Sequence, residues 1–231
     1  MKKTIAAIII ILAVAHPALA SEGWVTYLVD DYHINDFAFE GDLIWCATIT
    51  GLVRYDTATE EIQRYTVDDG LLSNTITDIV IDENGVKWMA TLEGVSRFDG
   101  ETWENFDKSI FFNNNEINDI TADTRGVKWF TTDYGVFSYD DAEWQFIEMV
   151  TVTKTHNNWV WDVDYQLIDV KSSAVDSLGV VWFGTDEFGL FNYDGEAWHA
   201  FIDVTDDSLS RGLDFEEENV KNIYVDRNNN V

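Results

Sequence analysis

Four tryptophans, Trp45, Trp88, Trp129 and Trp182, recur at intervals of 43, 41 and 53 residues, each in the same frame. Three residues on stand Thr48, Thr91, Thr132 and Thr185, followed by Gly51, Gly94, Gly135 and Gly189 and, five residues after each glycine, by Asp56, Asp99, Asp140 and Asp194. The blocks read WCATITGLVRYD, WMATLEGVSRFD, WFTTDYGVFSYD and WFGTDEFGLFNYD. Six residues before the last three tryptophans are Asp82, Asp123 and Asp176, each with a glycine three positions further on. A register kept four times means that one supersecondary unit has been copied, and each copy must bury its apolar surface against its neighbours.

Within a unit the apolar residues alternate with period two and are rich in Val, Ile, Thr and aromatics, the pattern of short half-buried strands. In the second copy these are ITDIVID from Ile76, VKWMAT from Val86, GVSRFD from Gly94 and the TWENF stretch around Trp103. The Asp-x-x-Gly step suits a short hairpin, because Asp bonds the backbone just beyond it and Gly supplies the positive φ of a turn. Four strands in ~42 residues is the size of a propeller blade. The spacing therefore predicts an all-β fold, a β-propeller of four-stranded antiparallel blades. About four blades are complete, with partial first and last blades: a strand-like WVTY at Trp24 and a lone VKNIYVD from Val220. Asp226 matches Asp176 and Val231 matches Val181, so the repeat expects tryptophan at the next position and further blades beyond it. Trp24 to Tyr27 is the candidate strand for closing such a ring.

The stretch GLLSNTITDIVIDENGVKWMATLEGVSRFD, from Gly70 to Asp99, resembles the two-component regulator propeller repeat. That family occurs in the extracytoplasmic sensor regions of bacterial hybrid histidine kinases and in secreted relatives. The likeness extends over Asn118 to Asp140 and Ser172 to Asp194, and is looser from His33 to Asp56, where the turn shortens to Glu40-Gly41-Asp42. The resemblance implies a propeller of seven or eight blades that works as a binding or sensing module. A kinase domain beyond residue 231 is a further implication. A propeller closed and followed by an export or sorting domain is the alternative.

Residues 1–20 carry Lys2 and Lys3, an apolar run from Ile5 to Ala15, and Ala18-Leu19-Ala20, the three-part layout of a secretory signal. Cleavage is expected after Ala20, leaving 21–231 as the propeller repeat domain, exported to the periplasm or beyond. The apolar run has 11 residues, too few for a bilayer that needs about 20. The formal net charge of −29 argues against nucleic acid and anionic lipid as partners and favours cationic ones. With one cysteine, Cys46, neither an intramolecular disulfide nor a CxxC pair can form. Cys46 aligns with Met89, Phe130 and Phe183, which marks it as a packing residue.

Catalytic signatures are missing from the sequence: there is no HExxH, Gly-x-Ser-x-Gly, Walker loop or dinucleotide fingerprint. No complete calcium-loop pattern occurs either, and no cofactor is expected. Asp36, Asp78 and Asp119 recur at one position of the first strand, where they either bond the neighbouring strand or ring a channel and hold a cation. The expectation is a non-enzymatic module, with a propeller lyase using His156 or Tyr165 as base as the enzymatic alternative.

Function is sought where the repeat is broken, since propeller insertions map to loops on one face. Trp144 to Asp176 spans 32 residues where Trp103 to Asp123 spans 20. The added stretch, from Lys154 to Gln166, holds His156, Asn158, Trp159, Trp161 and Tyr165. Aromatic faces beside amides and carboxylates suit stacking on a sugar ring and bonding its hydroxyls, or anchoring a protein partner. The same aromatics could instead pin their own loop. These five residues are the candidate ligand site, for an extracellular saccharide or protein. A second acidic departure, Asp203 to Glu218, reads as a solvated loop.

Overall fold

The computed structural model describes residues 9–12, 25–28, 33–107, 109, 116–148, 150–157, 160–186, 189–201, 223 and 225. Among them are four four-stranded sheets, each an antiparallel meander, and two two-stranded ribbons. The first ribbon pairs β1 (Ile9–Leu12) with β2 (Val25–Leu28). Blade 1 holds β3 (Ile34–Glu40), β4 (Leu43–Thr48), β5 (Gly51–Asp56) and β6 (Ile62–Tyr65). Blade 2 holds β7 (Ile76–Ile81), β8 (Lys87–Thr91), β9 (Gly94–Phe98) and β10 (Trp103–Asp107). Blade 3 holds β11 (Ile117–Ala122), β12 (Lys128–Thr132), β13 (Gly135–Tyr139) and β14 (Trp144–Glu148). The second ribbon, β15 (Val150–Asn157) and β16 (Val160–Leu167), comes next. Blade 4 follows with β17 (Val170–Val175), β18 (Val181–Thr185), β19 (Leu190–Tyr193) and β20 (Trp198–Phe201).

The four blades of the repeat are thus present as a partial propeller, with first strands side by side: β3 against β7, β7 against β11, β11 against β17. Val25–Leu28 is a strand as expected, but its partner is the apolar Ile9–Leu12 and not a blade. Apart from Ile223 and Val225, the fifth-blade strand from Val220 lies outside the described residues, as does the whole acidic stretch from Asp203 to Glu218.

Each repeated residue has a physical task. In blades 2 to 4 the Asp-x-x-Gly carboxylate accepts two backbone N–H groups with Oδ1, from Asn84 and Val86 in blade 2, and the indole N–H of its own blade's tryptophan with Oδ2. The indole distances are 3.1 Å for Trp88–Asp82, 3.0 Å for Trp129–Asp123 and 3.2 Å for Trp182–Asp176. Blade 1 has the shortened turn, and there Glu40, one methylene longer, takes the Trp45 indole at 2.9 Å. The threonine hydroxyl closes the next turn by donating to the glycine carbonyl: Thr48 to Gly51, Thr91 to Gly94, Thr132 to Gly135 and Thr185 to Gly189, at 2.6 to 3.0 Å. Gly51 and Gly94 sit at φ +128° and +132°, and a Cβ there would run into the carbonyl oxygens of Tyr65 and Phe106. Only glycine fits such a position.

Apolar packing is between blades. Trp45, Leu52, Ile76, Ile79, Met89 and Phe98 form the core of the first junction. Trp88, Val95, Phe106, Ile120, Phe130 and Phe137 form the second, and Trp129, Val136, Val170, Val181 and Phe183 the third. Trp45, Trp88 and Trp129 are buried as expected, but Trp182, on the far side of blade 4, is half-buried. Because strands alternate in direction, the Asp-x-x-Gly turns share one face of the propeller with the turns between third and fourth strands. The Thr-Gly turns and the connections between blades lie on the opposite face.

Candidate binding site

The interruption of the repeat is a β-ribbon. Between β14 and β17 the chain runs out and back through β15 and β16, eight residues each, before blade 4 begins. It leaves from the face that carries the inter-blade connections. In the ribbon's register His156 stands opposite Trp161 and Val152 opposite Tyr165. Directly opposed residues of an antiparallel pair, and residues two or four apart on a strand, belong to one face. The register positions of His156, Trp161 and Tyr165 therefore share a face of the ribbon. Asn158 and Trp159, the other two candidate residues, lie outside the described residues.

The repeated first-strand aspartates are blade connectors. Each first strand carries a β-bulge just before its repeated position, between Ile34 and Asp36, Ile76 and Asp78, Ile117 and Asp119, and Val170 and Ser172. The bulge turns the carboxylate sideways onto the next blade. Asp36 accepts from Ile79 N–H at 3.1 Å and Asp78 from Ile120 N–H at 2.6 Å. Asp119 accepts from Ser173 N–H at 2.7 Å and also from its hydroxyl. The residue inside the bulge adds a second link: Asn35 donates to the Ile76 carbonyl at 2.6 Å and Asn118 to that of Val170 at 2.9 Å.

Burial, together with the neighbouring Asp119 and Asp36, pushes the Asp78 carboxyl well above the usual range. Burial raises Asp119 to about 6, with the Ser173 hydrogen bonds opposing the rise. Among the described residues no group of three or more His, Cys, Asp or Glu is arranged to hold a metal ion. The interstrand reading of these aspartates is the one the hydrogen bonds support. Cys46 is buried and its thiol is pushed up to about 11, chiefly by desolvation, so it is inert at neutral pH.

A second site escaped the sequence reading. A pocket of about 180 Å³ lies at the junction of blades 3 and 4, on the face opposite the ribbon. Arg125, Trp129, Ser138, Asp140, Glu143, Gln145 and Tyr193 line it, with Val127. The sequence signal was a pair of departures within the repeat: Ser138 stands where blades 1 and 2 have Arg54 and Arg97, and Val181 where blades 2 and 3 have Lys87 and Lys128.

No protein-family model matches the chain, and no curated protein does. Solved structures do resemble it. The extracellular domain of the BT4673 hybrid two component system of B. thetaiotaomicron superposes with a TM-score of 0.65 at 20% identity, covering 89% of this chain and 26% of that one. PorZ, a bacterial surface component of the type-IX secretion system of Porphyromonas gingivalis, gives 0.60 at 17% identity over 89% of this chain and 32% of its own. Virginiamycin B lyase from Staphylococcus aureus gives 0.61 at 11% identity over 88% and 61%. The chain thus spans about a quarter of the length of the BT4673 domain. At these identities the likeness establishes the β-propeller fold, and the first of these structures is of the class whose repeats the sequence resembles. Among the described residues no helix is long and apolar enough to cross a membrane.

Proposed function

We propose that the chain is an exported, non-enzymatic propeller module that senses an extracellular ligand, most simply a saccharide, through the ribbon inserted between blades 3 and 4. The observation that carries this reading is the ribbon itself. Repeated elements are accounted for by turn closure and inter-blade packing, whereas β15 and β16 pair with each other in a sheet apart from the four blades. His156, Trp161 and Tyr165 occupy one face of it in register, and aromatic residues beside hydrogen-bonding groups are what a sugar ring requires. The similarity to an extracellular domain of a two component system supports sensing, with a kinase elsewhere in the full protein.

The test is calorimetry of the full-length protein against a panel of neutral oligosaccharides. A binder in the panel should be lost in the Trp159→Ala, Trp161→Ala double variant while far-ultraviolet circular dichroism keeps its β signature. Undiminished affinity in that variant removes the ribbon as the site. A second reading, a secreted scaffold that binds protein, is favoured by the likeness to PorZ. It calls for capture of a protein ligand that the same double variant releases, with no saccharide binding. A lyase reading rests on the likeness to virginiamycin B lyase and needs a turnover that His156→Ala or Tyr165→Phe abolishes.

A further inference from the structure

The pocket between blades 3 and 4 occupies the place where the preceding junctions keep a cation of their own. At the first junction Lys87 of blade 2 lies 4.7 Å from the Trp45 ring centre and bonds Glu40 at 2.7 Å. At the second, Lys128 of blade 3 lies 5.0 Å from the Trp88 ring centre, bonds Asp141, and stands 3.8 Å from Asp82. Trp88 has a second cation, Arg97, at 5.6 Å, which the neighbouring strand's Glu104 holds at 3.1 Å. Each of these tryptophans thus meets a cation that a carboxylate fixes in place, and tryptophan is the ring that attracts cations best.

At the third junction both cationic side chains are gone, and an amide stands where the carboxylate held one of them. Val181 takes the lysine position, Ser138 the arginine position and Gln145 the position of Glu104; Ser138 and Gln145 are cross-strand partners just as Arg97 and Glu104 are. Val181 is buried in the apolar core of the junction, whereas Ser138 and Gln145 line the pocket. Its walls keep the aromatic and acidic chemistry of the other junctions: Trp129, Tyr193, Asp140 and Glu143. Arg125 also lines it, but that guanidinium is committed, bonded through Nε and Nη2 to buried Asp123 and lying 5.3 Å from the Tyr193 ring centre. Asp140 is held below the usual carboxylate range by the backbone N–H groups of Glu143 and Ala142, so it stays ionised at neutral pH.

We infer that this pocket binds the cationic end of an alkylammonium or alkylguanidinium group, which takes over against Trp129 the position that Lys128 and Arg97 hold against Trp88. The chain's charge of −29 draws such ligands towards it. A free amine and a Lys or Arg side chain of a protein partner share this chemistry. The site is separate from the ribbon and uses no saccharide.

The test follows the Trp129 indole N–H signal of the ¹⁵N-labelled full-length protein during titration with n-butylguanidinium, n-butylammonium and uncharged n-pentanol. The expected result is a saturable shift of that signal with the two cations, weakened by salt, and none with pentanol. Glu143→Gln, an exposed change that leaves the fold alone, should weaken binding about tenfold, the order expected for one lost charge-assisted hydrogen bond. Ser138→Arg should abolish binding by rebuilding the arginine cover of blade 2. Titration with acetyl-Gly-Arg-Gly-amide separates the sources: tighter binding than butylguanidinium assigns the site to a protein side chain, and equal or weaker binding to a free amine. An equal response to pentanol, no saturable response to either cation, or full affinity in Glu143→Gln would overturn the inference.

Discussion

The second and third blade junctions are built from the same parts and sealed differently. Both bury a tryptophan whose indole is held by an aspartate six residues upstream, and both link first strands through a bulged aspartate. At the second junction the charge of buried Asp82 is faced from across the junction by Lys128, itself fully buried. At the third, buried Asp123 is answered from within its own blade by half-exposed Arg125, and Gly195 of blade 4 leaves room for that guanidinium. A repeat can therefore lose an inter-blade ion contact without losing the junction, provided a local cation neutralises the buried carboxylate. What the substitution leaves behind is a pocket.

The largest expected effect breaks the junctions themselves. Trp88→Ala should cost about 3–5 kcal/mol, the range for a fully buried large aromatic. Half-buried Trp182→Ala should cost clearly less, and urea denaturation of the two variants makes the comparison. Equal losses would mean that Trp182 is as enclosed in solution as Trp88.

The cations come next. Lys128→Met removes a buried ammonium that bonds Asp141 and the Gly126 carbonyl. It should cost about 2 kcal/mol, a typical value for hydrogen bonds to a charged group. Arg125→Met should cost less, about 1 kcal/mol, because its half-exposed position lets water reach buried Asp123 once the guanidinium is gone, whereas Lys128 is fully enclosed. The reverse order in denaturation midpoints would show that the local cation, not the cross-junction one, carries the buried charge.

A smaller effect separates the junctions by pH. Burial raises both carboxyls: Asp119 goes to about 6 against two opposing Ser173 donors, and Asp78, beside Asp119 and Asp36, is raised with one backbone N–H opposing. Unfolded, both titrate near about 4, so through the interval up to about 6 the folded chain holds protons that the unfolded chain has lost. Stability from this pair should therefore fall as pH rises from about 4 through 6. The turn aspartates act oppositely: Asp99 is lowered to about 2 by Thr102 and Glu101, so its contribution is lost as pH falls below about 4. Ser173→Ala should move the Asp119 carboxyl titration upward, read by ¹³C NMR, and leave that of Asp99 in place. An unmoved Asp119 would separate its titration from those donors.

The fold was legible because its determinants are local. A Thr hydroxyl bonding a glycine carbonyl three or four residues on, or an aspartate turning onto an indole six residues on, leaves a fixed spacing in the sequence. Glu40 shows the limit, since a shorter turn with a longer side chain keeps the indole bond and breaks the spacing. The aspartates of the first strand are legible as a column, and bonding to a neighbouring strand is the favoured reading, but their partners lie 43, 42 and 54 residues away and the spacing does not name them. The ribbon is visible as extra length, and the alternation of Trp159 and Trp161 suits an extended strand as well as a loop; what spacing does not give is the pairing of two strands. The pocket was missed because it consists of what is not there. Ser138, Gln145 and Val181 are unremarkable residues until they are set against Arg97, Glu104 and Lys128 across three strands.

With ten tryptophans, six outside the repeated position, the indole N–H spectrum is a map of the whole chain. The decisive measurement is that spectrum of the full-length protein recorded while a binding oligosaccharide is added. If the repeat makes the fold and the interruptions make the function, the signals of Trp159 and Trp161 shift and saturate while those of Trp45, Trp88 and Trp182 stay fixed. Saturable shifts at the repeated tryptophans with Trp159 and Trp161 unmoved would place recognition in the blades and contradict that division.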